Sequence, residues 1–287
     1  MNNFQKVYVS TGGFKHLNGL QMIEKFSNNG IFQLELSGGK FSANIKEKLI
    51  KLNKKYNLRI HNYFPPYSRE FIINLASSNN NILNKSIKHV IRAINLAEKM
   101  KCKFYSFHAG FRIDLSPKYL GKEFLKTKIT KRSNALKIFK NSIFFLENVA
   151  KKKGIKLFIE NNVITKKNIE IFNTNPLLLT NPTEIVNFFN KIPKSVGLLL
   201  DVAHLKVSSK TEGFSLSNSM KKLNKYVKGY HLSDNNGLID SNDSLSSSSW
   251  FFKHLKKNLD YYTIEVYHKS FKELKNQKKI VENYLKN

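Results

Sequence analysis

A chain of 287 residues with 41% hydrophobic content is long enough to bury a sizeable core. It contains no apolar run near the ~20 residues that a membrane-spanning helix requires, which excludes that class. The formal charge of +29 invites a nucleic-acid partner, but Arg59, Arg69, Arg92, Arg112 and Arg132 are the only arginines, leaving 44 of the 49 basic residues as lysine. Arginine, with its planar fork, is the usual phosphate reader, so the charge reads as a solvated lysine surface, equally compatible with an acidic small substrate.

In chain order, the start (Met1, Asn2, Asn3, Phe4, Gln5, Lys6) has no basic segment followed by an apolar one, so no signal peptide is indicated and a cytoplasmic location is expected. Residues 7–10 form a β-branched and aromatic run, a first strand, followed by a helix over 20–27. Residues 32–36 form a second strand, and 45–56 a helix with Ile45, Leu49, Leu52 and Tyr56 on one face. Residues 58–63 form a third strand, stopped by Phe64, Pro65 and Pro66. A long helix over 82–100 follows, with Ile87, Ile91, Ile94 and Ala97 on one side. The fourth strand covers 103–108. Cys102 sits beside it, is the only cysteine, and is read as a small buried hydrophobe.

Residues 111–131 lack periodicity and carry Arg112, Lys118, Lys122, Lys126, Lys128 and Lys131. A segment of that kind is usually functional or mobile, and a lid offering cations to a phosphorylated or carboxylated substrate is one expectation for it. A helix over 133–153 leads to a fifth strand, 155–160. Residues 161–181 are irregular. Asn181, Pro182 and Glu184 then mark a helix start that runs to about 191. The sixth strand begins at Val196 and reaches Asp201, the helix 216–226 leads to a seventh over 227–233, and a short helix near 250–257 precedes the eighth, 261–266. A last helix covers 270–286. Eight strand-then-helix units without a linker or composition break predict an α/β protein, residues 1–287 as one domain forming a (β/α)8 TIM barrel. An open doubly wound sheet is the alternative, but no glycine-rich phosphate turn follows the first strand.

Barrel strands end on one face, where active sites lie. The strand ends here carry Glu35, His61, His108, Glu160, Asp201 with His204, His231 with Asp234, and Glu265. Each has an ordinary structural explanation alone, such as Glu35 pairing with Arg59 or a lysine. Jointly they are harder to explain, because three carboxylates in a low-dielectric mouth repel unless a cation relieves them. One imidazole and three carboxylates suit a single divalent ion: Mn²⁺, Mg²⁺, Co²⁺ or Zn²⁺. Tyr63, Phe64, Phe111 and Trp250 are candidates to wall such a pocket.

The succession Glu160, Asn161, Asn162; then Asp201, Val202, Ala203, His204; then His231, Leu232, Ser233, Asp234; then Ile264, Glu265, Val266 resembles the xylose-isomerase-like barrel superfamily. That group includes ketose 3-epimerases, sugar-phosphate isomerases, inosose dehydratases and the endonuclease IV family. The resemblance implies that Glu160, Asp201, His231 and Glu265 bind one metal. It implies that Glu160 and Glu265 move a proton beside a substrate carbonyl, and that His61, His108, His204 and Asp234 contact substrate. It implies an isomerase or epimerase acting on a small sugar or sugar phosphate through an enediolate. A dehydratase on the same scaffold remains an alternative, and a homo-oligomer is compatible with the sequence. The endonuclease IV group uses three zinc ions on ligands matching His61, His108, Glu160, Asp201, His204, His231 and Glu265, plus an Asp-x-His pair. Here that pair reads Asp240, Ser241, Asn242, and an amide is a poor zinc ligand. The missing histidine turns His204 toward substrate rather than a third metal.

Overall fold

A computed structural model describes residues 6–53, 55–119 and 124–286. The sequence expectations placed on Met1 to Gln5 and on Lys122 lie outside the described residues. Eight parallel strands close into a barrel in chain order: β1 (Val7–Ser10), β2 (Gln33–Leu36), β3 (Asn57–His61), β4 (Phe104–His108), β5 (Lys156–Glu160), β6 (Gly197–Asp201), β7 (Val227–Leu232) and β8 (Tyr262–Ile264). Closure is made by β1 on β8, with Val7 beside Tyr262 and Val9 beside Ile264. The helices are α1 (Gly19–Ser27), α2 (Ile45–Leu52), α3 (Asn80–Lys99), α4 (Arg132–Lys151), α5 (Lys166–Phe172), α6 (Pro182–Phe189), α7 (Val202–Glu212), α8 (Leu216–Leu223) and α9 (Phe271–Lys286). This is the expected (β/α)8 architecture. No helix among the described residues is long and apolar enough to cross a membrane.

Local chemistry sets several boundaries. Asn18 opens α1 with a capping box, its side chain accepting from Gln21 N while Gln21 reaches back to the Asn18 backbone. Asn181 accepts from Glu184 N with Pro182 at the first helical position, as its sequence predicts. Two helices depart from expectation. Residues 161–181 contain α5, whose Thr165 side chain caps it. The residues after Asp201 form α7, buried at Val202, Ala203, His204, Leu205, Val207, Ser208 and Ser209. A helix buried on nearly all sides carries no apolar stripe, so its period is invisible in the sequence. The inward face of α3 is also rotated from the expected one: Ser86, His89, Val90, Ala93, Ile94, Leu96 and Ala97 are buried, while Ile87 and Ile91 are half-buried.

Alternate residues of each strand face the helices and the barrel axis. The outward set, including Val9, Leu36, Ile60, Phe107, Ile159, Leu200, Leu232 and Ile264, joins the main core beneath the helices. Inside, Phe104, Phe158, Leu199 and Tyr261 form a separate apolar layer. The Arg59 guanidinium lies 3.4 Å from the Tyr8 ring centre and 4.2 Å from that of Tyr261, and donates to Asp260 O at 3.0 Å. A Cβ on Gly229 would meet Tyr261 Cβ at 2.8 Å, so only glycine leaves Tyr261 its room. This filled lower half is the floor on which the polar upper layer rests.

Candidate metal centre

The register brings the strand ends level. His108 pairs with Glu160 across β4 and β5, and Asp201 with His231 across β6 and β7. One ligand atom from each of Glu160, Asp201, His231 and Glu265 falls within 4.8 Å of every other, and all four residues are buried. Nδ1 of His231 lies 3.2 Å from Glu160 Oε1 and 3.3 Å from Glu265 Oε2. Both Glu160 oxygens, Asp201 Oδ2 and His231 Nδ1 are buried without a hydrogen bond to any described group. Orphaned acceptors converging on one point are what a cation coordinated by N and O donors requires, so the residues present fit the expected ion.

Charge balance argues the same way. Burial pushes the Glu160 carboxyl up, but His108, His231 and His61 outweigh it and hold it well below the usual carboxylate range. Burial opposes charge on His231 too, yet Glu265, Glu160 and Glu35 lift it well above the ordinary histidine range. Asp201 is shifted upward, chiefly by burial, with His204 opposing. Without a metal, protons on the rings offset the carboxylates; a divalent cation would take that place and release them.

A surrounding set of bonds orients these groups. Glu265 Oε1 accepts from Ser10 Oγ at 2.9 Å and from the Tyr267 hydroxyl at 3.1 Å, which turns Oε2 toward His231. Asp201 caps α7 by accepting from His204 N at 2.8 Å. Asn161 holds the same corner: its Oδ1 accepts from Asp201 N at 2.8 Å, and its backbone oxygen is 2.8 Å from His204 Nδ1. Asn162 donates to the backbone oxygens of Ala109, Gly110 and Leu178. The consecutive asparagines after Glu160 are therefore braces for the neighbouring strand ends.

The other expected site residues divide. His61 Nε2 is 3.2 Å and His108 Nδ1 3.6 Å from Glu160 Oε2, making a second converging group. His108 is 29% exposed, where His61 is 4%, so His108 is the one reachable from the mouth. His204 Nε2 is 3.2 Å from Asp240 Oδ2 and 3.7 Å from Asp201 Oδ2. Asp234 is not brought into the cluster: Lys206 Nζ donates to it at 2.6 Å and Asn235 N at 2.8 Å.

Several expectations are corrected. Glu35 does not pair with Arg59, which turns down the barrel to the aromatic layer. Glu35 Oε1 instead lies 2.9 Å from His231 Nε2, and its Oε2 accepts from Thr263 and Tyr261. Arg112 is not a substrate cation: it donates to Thr130 O, Thr174 Oγ1 and Asn175 O, clamping its own loop to the α5–α6 connection. Phe111, Ile113 and Phe124 pack that loop onto Ile164, Phe172 and Leu177, so it is anchored at both ends. Phe64 belongs to the main core beside α1, and Phe111 to this satellite cluster, so neither walls a pocket. Cys102 lies just before β4 and is half-buried rather than buried; it donates to Leu58 O, and burial pushes its thiol up to about 12. Sequence reasoning passed over Ser10, Ser106, Tyr261 and Tyr267, which look like ordinary strand or loop residues and acquire meaning only through register.

Comparison with known proteins locates this geometry. A family model described as xylose isomerase-like TIM barrel matches residues 18–283. A D-tagatose 3-epimerase-like protein superposes with a TM-score of 0.73 at 19% identity, covering 98% of this chain and 97% of its own. The D-psicose 3-epimerase of Clostridium cellulolyticum H10, solved with D-tagatose, gives a TM-score of 0.66 at 14% identity, covering 98% and 97%. A Thermus thermophilus protein solved after soaking with ZnCl2 gives 0.61 at 13% identity, covering 97% and 98%. At these identities the likenesses establish the fold. A search of curated protein sequences returned no match.

Proposed function

We propose that this chain, which belongs to the xylose isomerase-like TIM barrel family, is a divalent-metal-dependent isomerase or epimerase of a sugar or sugar derivative. The observation that carries the proposal is the buried quartet of Glu160, Asp201, His231 and Glu265 with its orphaned acceptors. The names of the similar epimerases support the same substrate class. When bound, Mn²⁺, Mg²⁺, Co²⁺ or Zn²⁺ polarises a carbonyl and its adjacent hydroxyl and so acidifies the neighbouring carbon.

The chain's own residues then move the proton. Burial pushes the Glu265 carboxyl up, but in the metal-free protein the His231 ring outweighs it and lowers it to about 2; Glu265 is the carboxylate assigned to accept a carbon-bound proton. Ser10 and Tyr267 fix Oε1, which leaves Oε2 as the reactive oxygen. Glu160, whose Oε1 lies 3.2 Å from the same His231 nitrogen, is the partner assigned to return a proton to the opposite face of an enediolate. His108, which reaches the mouth, and the buried His204 are assigned to substrate oxygens, and the buried floor excludes bulk water from the carbanion.

Metal content tests the proposal first. Wild-type protein stripped and reloaded should retain one divalent ion per chain, and Asp201→Ala should lose it while still melting cooperatively. With sugars and sugar phosphates screened in D₂O, solvent deuterium should enter recovered substrate and fail to do so in Glu265→Gln. Exchange persisting in both Glu160→Gln and Glu265→Gln would rule out the two-carboxylate scheme.

A second reading rests on the trio His61, His108 and Glu160 and on Asp240 beside His204. These could hold further cations, the arrangement used by endonuclease IV-like enzymes on abasic DNA. Near three zinc ions per chain, with nicking of an abasic duplex, would replace the isomerase proposal by this one.

A further inference from the structure

A chain of hydrogen bonds crosses the barrel beneath the cluster, and its polarity can be worked out. It starts at Glu35, whose Oε2 accepts from the Tyr261 hydroxyl and from Thr263 Oγ1 at 3.0 Å. The Tyr261 oxygen is 2.7 Å from Ser106 Oγ, and Ser106 Oγ is 2.9 Å from His61 Nδ1. Glu35, Ser106, Tyr261 and His61 are all buried. Four residues on four strands, β2, β4, β3 and the edge of β8, are thus joined with no exposed member.

The donor and acceptor inventory leaves one consistent assignment. An ionised carboxylate only accepts. The single tyrosine proton therefore goes to Glu35, and the tyrosine oxygen can only accept from Ser106. That uses the single serine proton, so Ser106 Oγ must accept from His61 Nδ1. We infer that Tyr261 and Ser106, anchored by Glu35, are positioning residues that keep a proton on His61 Nδ1 and so turn Nε2 to Glu160. Nε2 lies 3.2 Å from Glu160 Oε2. Of the two ring nitrogens, only Nε2 is then left to a cation or a substrate hydroxyl. The use made of Nε2 rests on the proposed function; the proton on Nδ1 does not.

The test reads that proton directly. Full-length protein with ¹⁵N-labelled histidine is examined metal-free by long-range ¹H–¹⁵N correlation. His61 is assigned by comparison with His61→Gln. Wild type should show Nδ1 protonated. In Tyr261→Phe the serine proton is released to point at Nδ1, so Nδ1 should lose its proton. Ser106→Ala cuts the chain one bond nearer and should also lose the Nδ1–H preference, while Ser106→Thr keeps the hydroxyl and should restore it. That pair decides the matter if Tyr261→Phe does not fold. An unprotonated Nδ1 in wild type, or an unchanged pattern in both Tyr261→Phe and Ser106→Ala, overturns the inference. Failure of wild type to take up any divalent cation would count against the proposed function instead, because the Nδ1 proton is read on metal-free protein.

Discussion

His89, on α3, is 1% exposed, with Nε2 2.9 Å from the backbone oxygen of Asn62, which also accepts from Tyr105. Burial, with a smaller push from Arg92, lowers its ring to about 4. The folded protein therefore keeps this histidine neutral where the unfolded chain, near 6.5, begins to protonate. Below that value the unfolded state binds more protons, so stability falls as pH drops from ~6.5 toward ~4 and levels off beneath it. The full effect is on the order of 3 kcal/mol. His89→Gln lacks the titration, so its stability deficit in urea unfolding should be largest near neutral pH and shrink toward pH ~4. A deficit that stayed constant across that window would remove His89 as a source of acid sensitivity. Residues of this kind were not legible beforehand. His89 entered the core because α3 rotated its buried face away from Ile87 and Ile91. The candidate ligands were legible, since Glu160, Asp201, His231 and Glu265 each interrupt an apolar strand with a group that burial alone disfavours. Tyr261 and Ser106 interrupt nothing, and only the closed barrel brings them into line.

Elements divide on the same ground. The eight strands could be read from short apolar or alternating runs, unbroken where both faces are covered, as in β6, and alternating in β2 and β3. The helix α7 could not, and with it went the capping role of Asp201, whose one oxygen starts a helix while the other is left without a hydrogen bond in the buried quartet. Strand β7 carries the clearest mechanical test. Gly229 has no side chain because Tyr261 Cβ would sit 2.8 Å from an added methyl, and a Cβ cannot swing aside as a flexible tip can. Gly229→Ala must move β8 or its tyrosine, at a cost of roughly 1–3 kcal/mol from overpacking. Because Tyr261 also bonds Ser106 and Glu35, the same shift should weaken divalent-cation affinity. Reduced thermal stability together with unchanged cation affinity would separate the apolar floor from the site above it.

At the scale of the whole molecule, two opposite charge distributions coexist. The net charge is +29, spread over the lysines, yet the barrel mouth concentrates Glu35, Glu160, Asp201 and Glu265 in its buried interior. Self-repulsion within the mouth is a standing cost to the fold, held down in the metal-free state by protons on His231 and His204, both shifted upward by the carboxylates around them. A divalent cation held by the proposed quartet would bind only where closure of all eight strands has assembled it, so it should favour the folded state by mass action. At a free concentration one hundred times its dissociation constant the gain is about 2.7 kcal/mol. For a chain of this size that corresponds to a rise in melting temperature on the order of 5 °C. Calorimetry of stripped protein with and without Mn²⁺ or Zn²⁺ should show it, and Asp201→Ala should not. Sodium chloride at matched ionic strength serves as the control, because screening of the lysine surface would stabilise both proteins alike. An equal rise in wild type and Asp201→Ala would mean that the cation acts on the surface, and the quartet would then have to be explained without a metal.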